Sequence, residues 1–128
     1  MVARRGSNVT VTGTSGVDTV DFAPGHSGQP DHTFVVNGIE FAYDPGEVDT
    51  FRFNAGEDED RAVIHDSEDN DLLAASGNSA TLSSGALFEA VLTDFEEIKA
   101  ISELGGDDQV DQEAVDFVLT LEGPWDDI

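Results

Sequence analysis

The sequence predicts an all-β fold whose short strands follow one another as a solenoid. Three observations predict it. Short runs alternating apolar and polar residues recur along the chain, separated by turns rich in Gly, Asp and Asn. Asp49, Asp60 and Asp71 each end a polar turn and open a short run that reads as a strand: Thr-Phe-Arg-Phe, Arg-Ala-Val-Ile and Leu-Leu-Ala-Ala, at a spacing of 11 residues (49, 60 and 71). Helix patterning is confined to a single stretch. A fixed turn spacing marks a chain whose coils stack and bury one continuous core.

The elements follow in order. Residues 1–8 read as a flexible tail and residues 9–128 as one domain, a size that 128 residues with 38% hydrophobic content suits. Val9 and Val11 alternate with Thr10 and Thr12, and Val20 and Phe22 alternate with acids, so both runs read as strands with one buried face. Residues 23–32 form a Pro/Gly-rich loop. Asn37-Gly38 joins two β-rich runs and signals a hairpin, because both residues tolerate positive φ. Strands are expected at 48–53, near 61–65, near 72–75 and at Ala80-Thr81-Leu82. Leu87 to Ile101 fits a helix period through Leu87, Val91, Phe95 and Ile98. It fits two strands with a break near Thr93-Asp94 equally well. Gly105-Gly106-Asp107-Asp108 turns into a strand, and residues 114–121 form another. Trp125 reads as ordinary packing rather than as the cap of an open apolar end.

Charge narrows the function classes. Twenty-eight Asp and Glu face five Lys and Arg, a formal net charge of −23. Such a surface repels nucleic acid and anionic lipid, which are bound through cationic side chains. It also repels itself, which salt screening or divalent cations relieve. With no cysteine there is no disulfide, thiol nucleophile or Cys-based zinc site. No apolar run is long enough for a membrane-spanning helix, and the N-terminus lacks the apolar stretch of a signal peptide.

Several segments resemble one known type of repeat. AGEDEDRAVI and DSEDNDLLAA look like degenerate copies of the glycine-rich nonapeptide of RTX-type calcium-binding β-rolls. GTSGVDTV at 13–20 and GGDDQV at 105–110 look similar. GTSGVDTVDF, TFVVNGIEFAY, AGEDEDRAVIHDSEDNDLLA, SATLSSGALF and FEEIKAI also follow the order of repeats in large bacterial secreted or surface proteins, and cover most of residues 13–121. The resemblance implies a right-handed parallel β-helix or β-roll-like solenoid, with FEEIKAI as strand. It implies a structural or adhesive role, an extracellular or cell-surface location, and no catalysis. The pattern departs where glycines should bend backbone carbonyls toward an ion: Asp58 and Asp69 stand in glycine positions, and Ala55 and Asp66 replace the first glycine of each pair.

The candidate metal ligands are Asp58, Asp60, Asp69, Asp71 and Asp108, with calcium as the expected ion because it takes six to eight oxygen ligands. Turn aspartates of this kind also commonly hydrogen-bond their own backbone. His26, His32 and His65 show no metal-ligand spacing, and no nucleophile motif is present. The expected partners are divalent cations, and neighbouring repeats or further copies stacked end to end. A carbohydrate-active enzyme on the same fold, and a halophilic domain whose acids only solvate it, are the alternatives.

Overall fold

Period-2 alternation puts every second side chain on one face, and that face becomes the core. The computed structural model describes residues 2–14, 16–56, 59–85 and 87–127. Its described residues form strands and no helix. β1 (Val2–Arg5) lies antiparallel to β2 (Asn8–Thr12), so most of the segment read as a tail is paired. The chain then crosses to a second sheet as β3 (Thr19–Ala23). β4 (His32–Val36) and β5 (Ile39–Tyr43) follow as the expected hairpin, with Asn37 and Gly38 at φ 50° and 86°. From there the chain alternates between sheets: β6 (Thr50–Asn54) in the first and β7 (Arg61–His65) in the second. β8 (Leu72–Gly77), β9 (Ser79–Ser84) and β10 (Phe88–Thr93) return to the first. β11 (Glu97–Ile101) and β13 (Val118–Glu122) join the second sheet, while β12 (Asp108–Val115) and β14 (Trp125–Asp127) join the first.

Leu87–Ile101 therefore resolves into two strands. The break between them is Asp94, at φ 64°. A helix would bury only one stripe of this segment. As strands, Phe88, Ala90, Leu92, Ile98 and Ala100 are all buried.

The two open sheets have the strand orders β1-β2-β6-β10-β9-β8-β12-β14 and β13-β11-β7-β3-β4-β5. Both are mixed. β2, β6 and β10 pair in parallel, as do β8, β12 and β14, and β3, β7, β11 and β13. β1, β9 and the β4–β5 hairpin add antiparallel pairings. Parallel register stacks like on like: Val11, Phe53 and Leu92 form one inward row, and Val20, Ala62, Ile98 and Leu119 another. The inner faces meet in one cluster. Phe22 touches Phe51 and Phe53 with ring centroids 5.1 and 5.8 Å apart, and Phe34 packs on Phe53 at 5.3 Å.

Two of the five cations tie neighbouring strands on the outside: Arg61 to Glu97 at 3.4 Å and Lys99 to Glu122 at 3.1 Å. Exposed pairs of this kind contribute little. Trp125 packs against the core and its Nε1–H donates to the Ala100 carbonyl at 3.3 Å.

The 11-residue spacing takes its meaning from this topology. Each step carries the chain from one sheet to the other, so Asp49, Asp60 and Asp71 precede β6, β7 and β8 without stacking on one another. The true stacking partners come from more distant parts of the chain.

Candidate metal centre

Acids recur just before a strand's first buried apolar residue and in phase with it: Asp18 before Val20, Asp60 before Ala62, Asp71 before Leu73, Asp108 before Val110. Alternation points all four inward, and all four are buried. A buried carboxylate is costly unless hydrogen bonds or opposite charge compensate it. The corners between sheets supply that compensation in two different ways.

At the corners entering the second sheet, acids interlock along the stack. Asp18 N–H donates to Asp60 Oδ1 at 2.7 Å, and Asp60 N–H donates to Glu96 Oε2 at 2.9 Å. The Asp18 carboxylate accepts from Thr14 N–H at 2.8 Å and Thr14 Oγ1 at 2.9 Å, and also from Asn37 Nδ2 at 2.9 Å. Burial pushes the Asp18 pKa up, but the Asn37 and Thr14 donors outweigh it and the net shift is downward. This corner satisfies its carboxylate with protein donors alone.

The corner entering the first sheet repeats the same loop geometry. Ser67, four residues before Asp71 as Thr14 is before Asp18, donates through N–H and Oγ, both at 2.8 Å. Asp71 N–H in turn donates to Asp108 Oδ1 at 3.1 Å, and Ser102 Oγ donates to Asp108 Oδ2. The difference is the third neighbour. Where Asn37 supplies an amide to Asp18, Asp71 faces further carboxylates. Oxygens of Asp66, Asp71 and Asp108 all lie within 4.8 Å of one another, in side chains 0%, 2% and 1% exposed.

Asp66 follows β7 in the inward phase of Ala62 and Ile64. Its carboxylate accepts from the N–H groups of Glu103 and Leu104, each at 3.0 Å. Burial and the Asp108 carboxylate push the Asp66 pKa up against those two donors. The same two causes push Asp71 to about 7, against the Ser67 donors. Three buried carboxylates this close do not all ionise without a proton or a cation between them.

The geometry therefore sorts the expected ligands. Asp71 and Asp108 belong to one cluster. Asp60 is buried at a different corner, in the Asp18–Glu96 interlock. Asp69 is exposed, with its N–H on Ser67 Oγ at 3.2 Å. Asp58 lies outside the described residues. Asp66 is the member the sequence reading missed, and its phase with Ile64 is the signal that finds it. No histidine joins this cluster: His65 contacts Asp21 at 3.0 Å and Glu103 at 3.4 Å, while His26 and His32 line one cavity at the Pro/Gly loop.

The donor set of Asp66, Asp71 and Asp108 is all oxygen, acidic and buried. It can hold a metal ion, and it suits a hard cation rather than a transition metal. An ion about 2.4 Å from three oxygens needs them within about 4.8 Å of one another, which they are. No family model, curated protein or solved structure matches the chain.

Proposed function

We propose that this chain is a non-enzymatic structural module of a secreted or cell-surface protein, a β-roll-like solenoid whose corners are clamped by calcium. One observation carries the reading: Asp66, Asp71 and Asp108, spread over three segments of the chain, converge buried at one corner, and no ion pair among the described residues reaches them. A divalent cation held there would tie three strand ends together, since Asp66 follows β7, Asp71 precedes β8 and Asp108 opens β12. Alternation between sheets and parallel like-on-like rows support the solenoid reading. The outer edge strand β13 exposes Val118 and Leu121, and an open strand edge of this kind suits a neighbouring repeat or a second copy.

Thermal melting tests the clamp. Calcium at about 100 times its Kd should add about 2.7 kcal/mol over EDTA, a rise in Tm on the order of 10 °C. Asp71→Asn and Asp108→Asn should remove most of that rise. Equal rises with magnesium or sodium chloride would leave only screening of the acidic surface and defeat the proposal.

The pH dependence has a definite sign. Asp71 binds its proton more tightly folded, at a pKa of about 7 against an ordinary 3.8. Its contribution is present below pH 3.8 and lost as pH rises towards 7. In EDTA the Asp71→Asn variant should therefore lose less Tm between pH 4.5 and 7.5 than the parent does. In calcium the parent's loss should shrink, because the ion replaces the proton. His65, raised by its contact with Asp21, acts in the same direction at higher pH and is common to both proteins. Parallel Tm profiles of parent and variant in EDTA would contradict this account of the corner.

A further inference from the structure

A second candidate site adjoins the Ser67–Asp71 corner. His32 stands in the inward phase of Phe34 at the head of β4 and is 3% exposed. Its ring packs edge-on against Phe51 at 5.5 Å and tilted against Phe88 at 5.8 Å. Its Nδ1 accepts from Gly25 N–H at 2.8 Å, so Nδ1 carries a lone pair and the ring proton sits on Nε2. Burial agrees, pushing the pKa down despite Asp31 and Asp49. Nε2–H is thus a locked donor, yet no protein atom among the described residues accepts from it. Buried donors are rarely left so.

His32 lines a cavity of about 420 Å3, inside the range of small-molecule sites, roughly 300–1,000 Å3. Pro30, Pro45, Leu87 and Phe88 give it an apolar wall, and Asp49 and Asp69 give it carboxylates. Ser27 pins the Pro/Gly loop to the neighbouring corner by donating through N–H and Oγ to the Glu68 carboxylate, so two sides of the cavity are held in place. Shallower depressions share Asp49 and Phe88 on one side, and Asp69 and Leu87 on the other.

These features select a ligand class. The orphan N–H needs an acceptor, which an ammonium group does not offer. It cannot hold a metal ion, because Nε2 carries hydrogen while Nδ1 is engaged with Gly25. Asp49, Asp69 and the net charge of −23 repel anions. A neutral polyol meets every requirement: one hydroxyl oxygen accepts from Nε2–H, other hydroxyls donate to the carboxylates, and a ring's C–H face covers Leu87 and Phe88. We propose that this cavity binds a neutral saccharide, with His32 Nε2–H, the Asp49 and Asp69 carboxylates and the Leu87–Phe88 wall as its contacts.

The inference does not depend on the cation clamp, and its test is run in EDTA and again in calcium. The full chain, labelled with 15N, is titrated with maltose, cellobiose, lactose and mannose, following the His32 ring signals. At least one of these sugars should shift the Nε2–H signal saturably in both buffers. His32→Asn keeps an acceptor for Gly25 and removes Nε2–H; it should weaken that binding about tenfold, the effect of one hydrogen bond. Leu87 is 54% exposed, so Leu87→Ala leaves folding intact and should weaken binding severalfold even if His32→Asn fails to fold. No shift with any of the four sugars, or an equal response in Leu87→Ala, overturns the proposal. So does a stronger response to glucuronate, to a lysine-rich peptide or to an uncharged peptide.

Discussion

Gly106→Ala is expected to cost about 2–4 kcal/mol, well above an ordinary surface change. Gly106 has φ +72°, a conformation that costs an L-residue about 1–2 kcal/mol. A Cβ there would also stand 2.3 Å from the Asp69 carbonyl oxygen and 2.7 Å from its carbon. Those are backbone atoms of the stacked corner, so relief requires the two loops to separate. Because Gly106 lies two residues before Asp108, the same shift would pull Asp108 away from Asp71, and calcium should recover little of the lost stability. Gly77→Ala supplies the control. Its φ is +56°, but nothing lies within 4 Å of the added carbon, so only the conformational part is lost. Urea denaturation of both variants measures the difference, and equal losses would show that close stacking at this corner does not matter.

Phe22→Ala is expected to cost about 3–5 kcal/mol, the range for removing a buried aromatic side chain. Phe22 is 0% exposed and lies between Phe34 on β4 and Ile64 on β7 by strand register. Its ring contacts Phe51, Phe53 and, at 6.0 Å, Phe88 across the two sheets. The surrounding backbone is tied into ladders on both sides of β3 and collapses poorly into the space, so the cavity cost persists. Val118→Ala, on the outer face at 62% exposure, should change stability by less than about 0.5 kcal/mol. If the two variants melted alike in urea, the aromatic cluster would not be the centre of the core.

Much of the fold was legible in the sequence because alternation is a local property. Thr19–Ala23 and Thr50–Asn54 announce themselves by their apolar phase, Arg61–His65 and Leu72–Gly77 by short apolar runs after a polar turn, and Asn37-Gly38 by the φ values it permits. Phase also marks the buried polar residues that follow a strand: Asp66 follows Ile64, and Ser102 follows Ala100, on the inward side. Where local pattern ran out, at Leu87–Ile101, helix and strand periods matched equally well. Stacking of Phe53 on Leu92 and of Ala62 on Ile98 decided between them.

The candidate site was legible only in part. Asp71 and Asp108 were expected as ligands from their turns. Asp60 and Asp69 were expected on the same grounds, and the structure places them elsewhere. The turns look alike in sequence, and Thr14–Asp18 and Ser67–Asp71 even share their hydrogen bonds. What separates them is the third neighbour, an amide from Asn37 in one corner and the carboxylates of Asp66 and Asp108 in the other. His32 is a similar case: its phase with Phe34 predicts burial, but only packing reveals a donor with no acceptor.

By itself, the sequence determined most of the strands, their inward faces and the acidity of the corners, because these depend on neighbours within a few residues. Tertiary structure alone decided which corners stack. It joined the 11-residue steps into alternation between two sheets, and so brought Asp66 and Asp71 against Asp108. The physical reason is that burial and charge compensation are set by which chain segments lie side by side, and long-range register, not local periodicity, makes that choice.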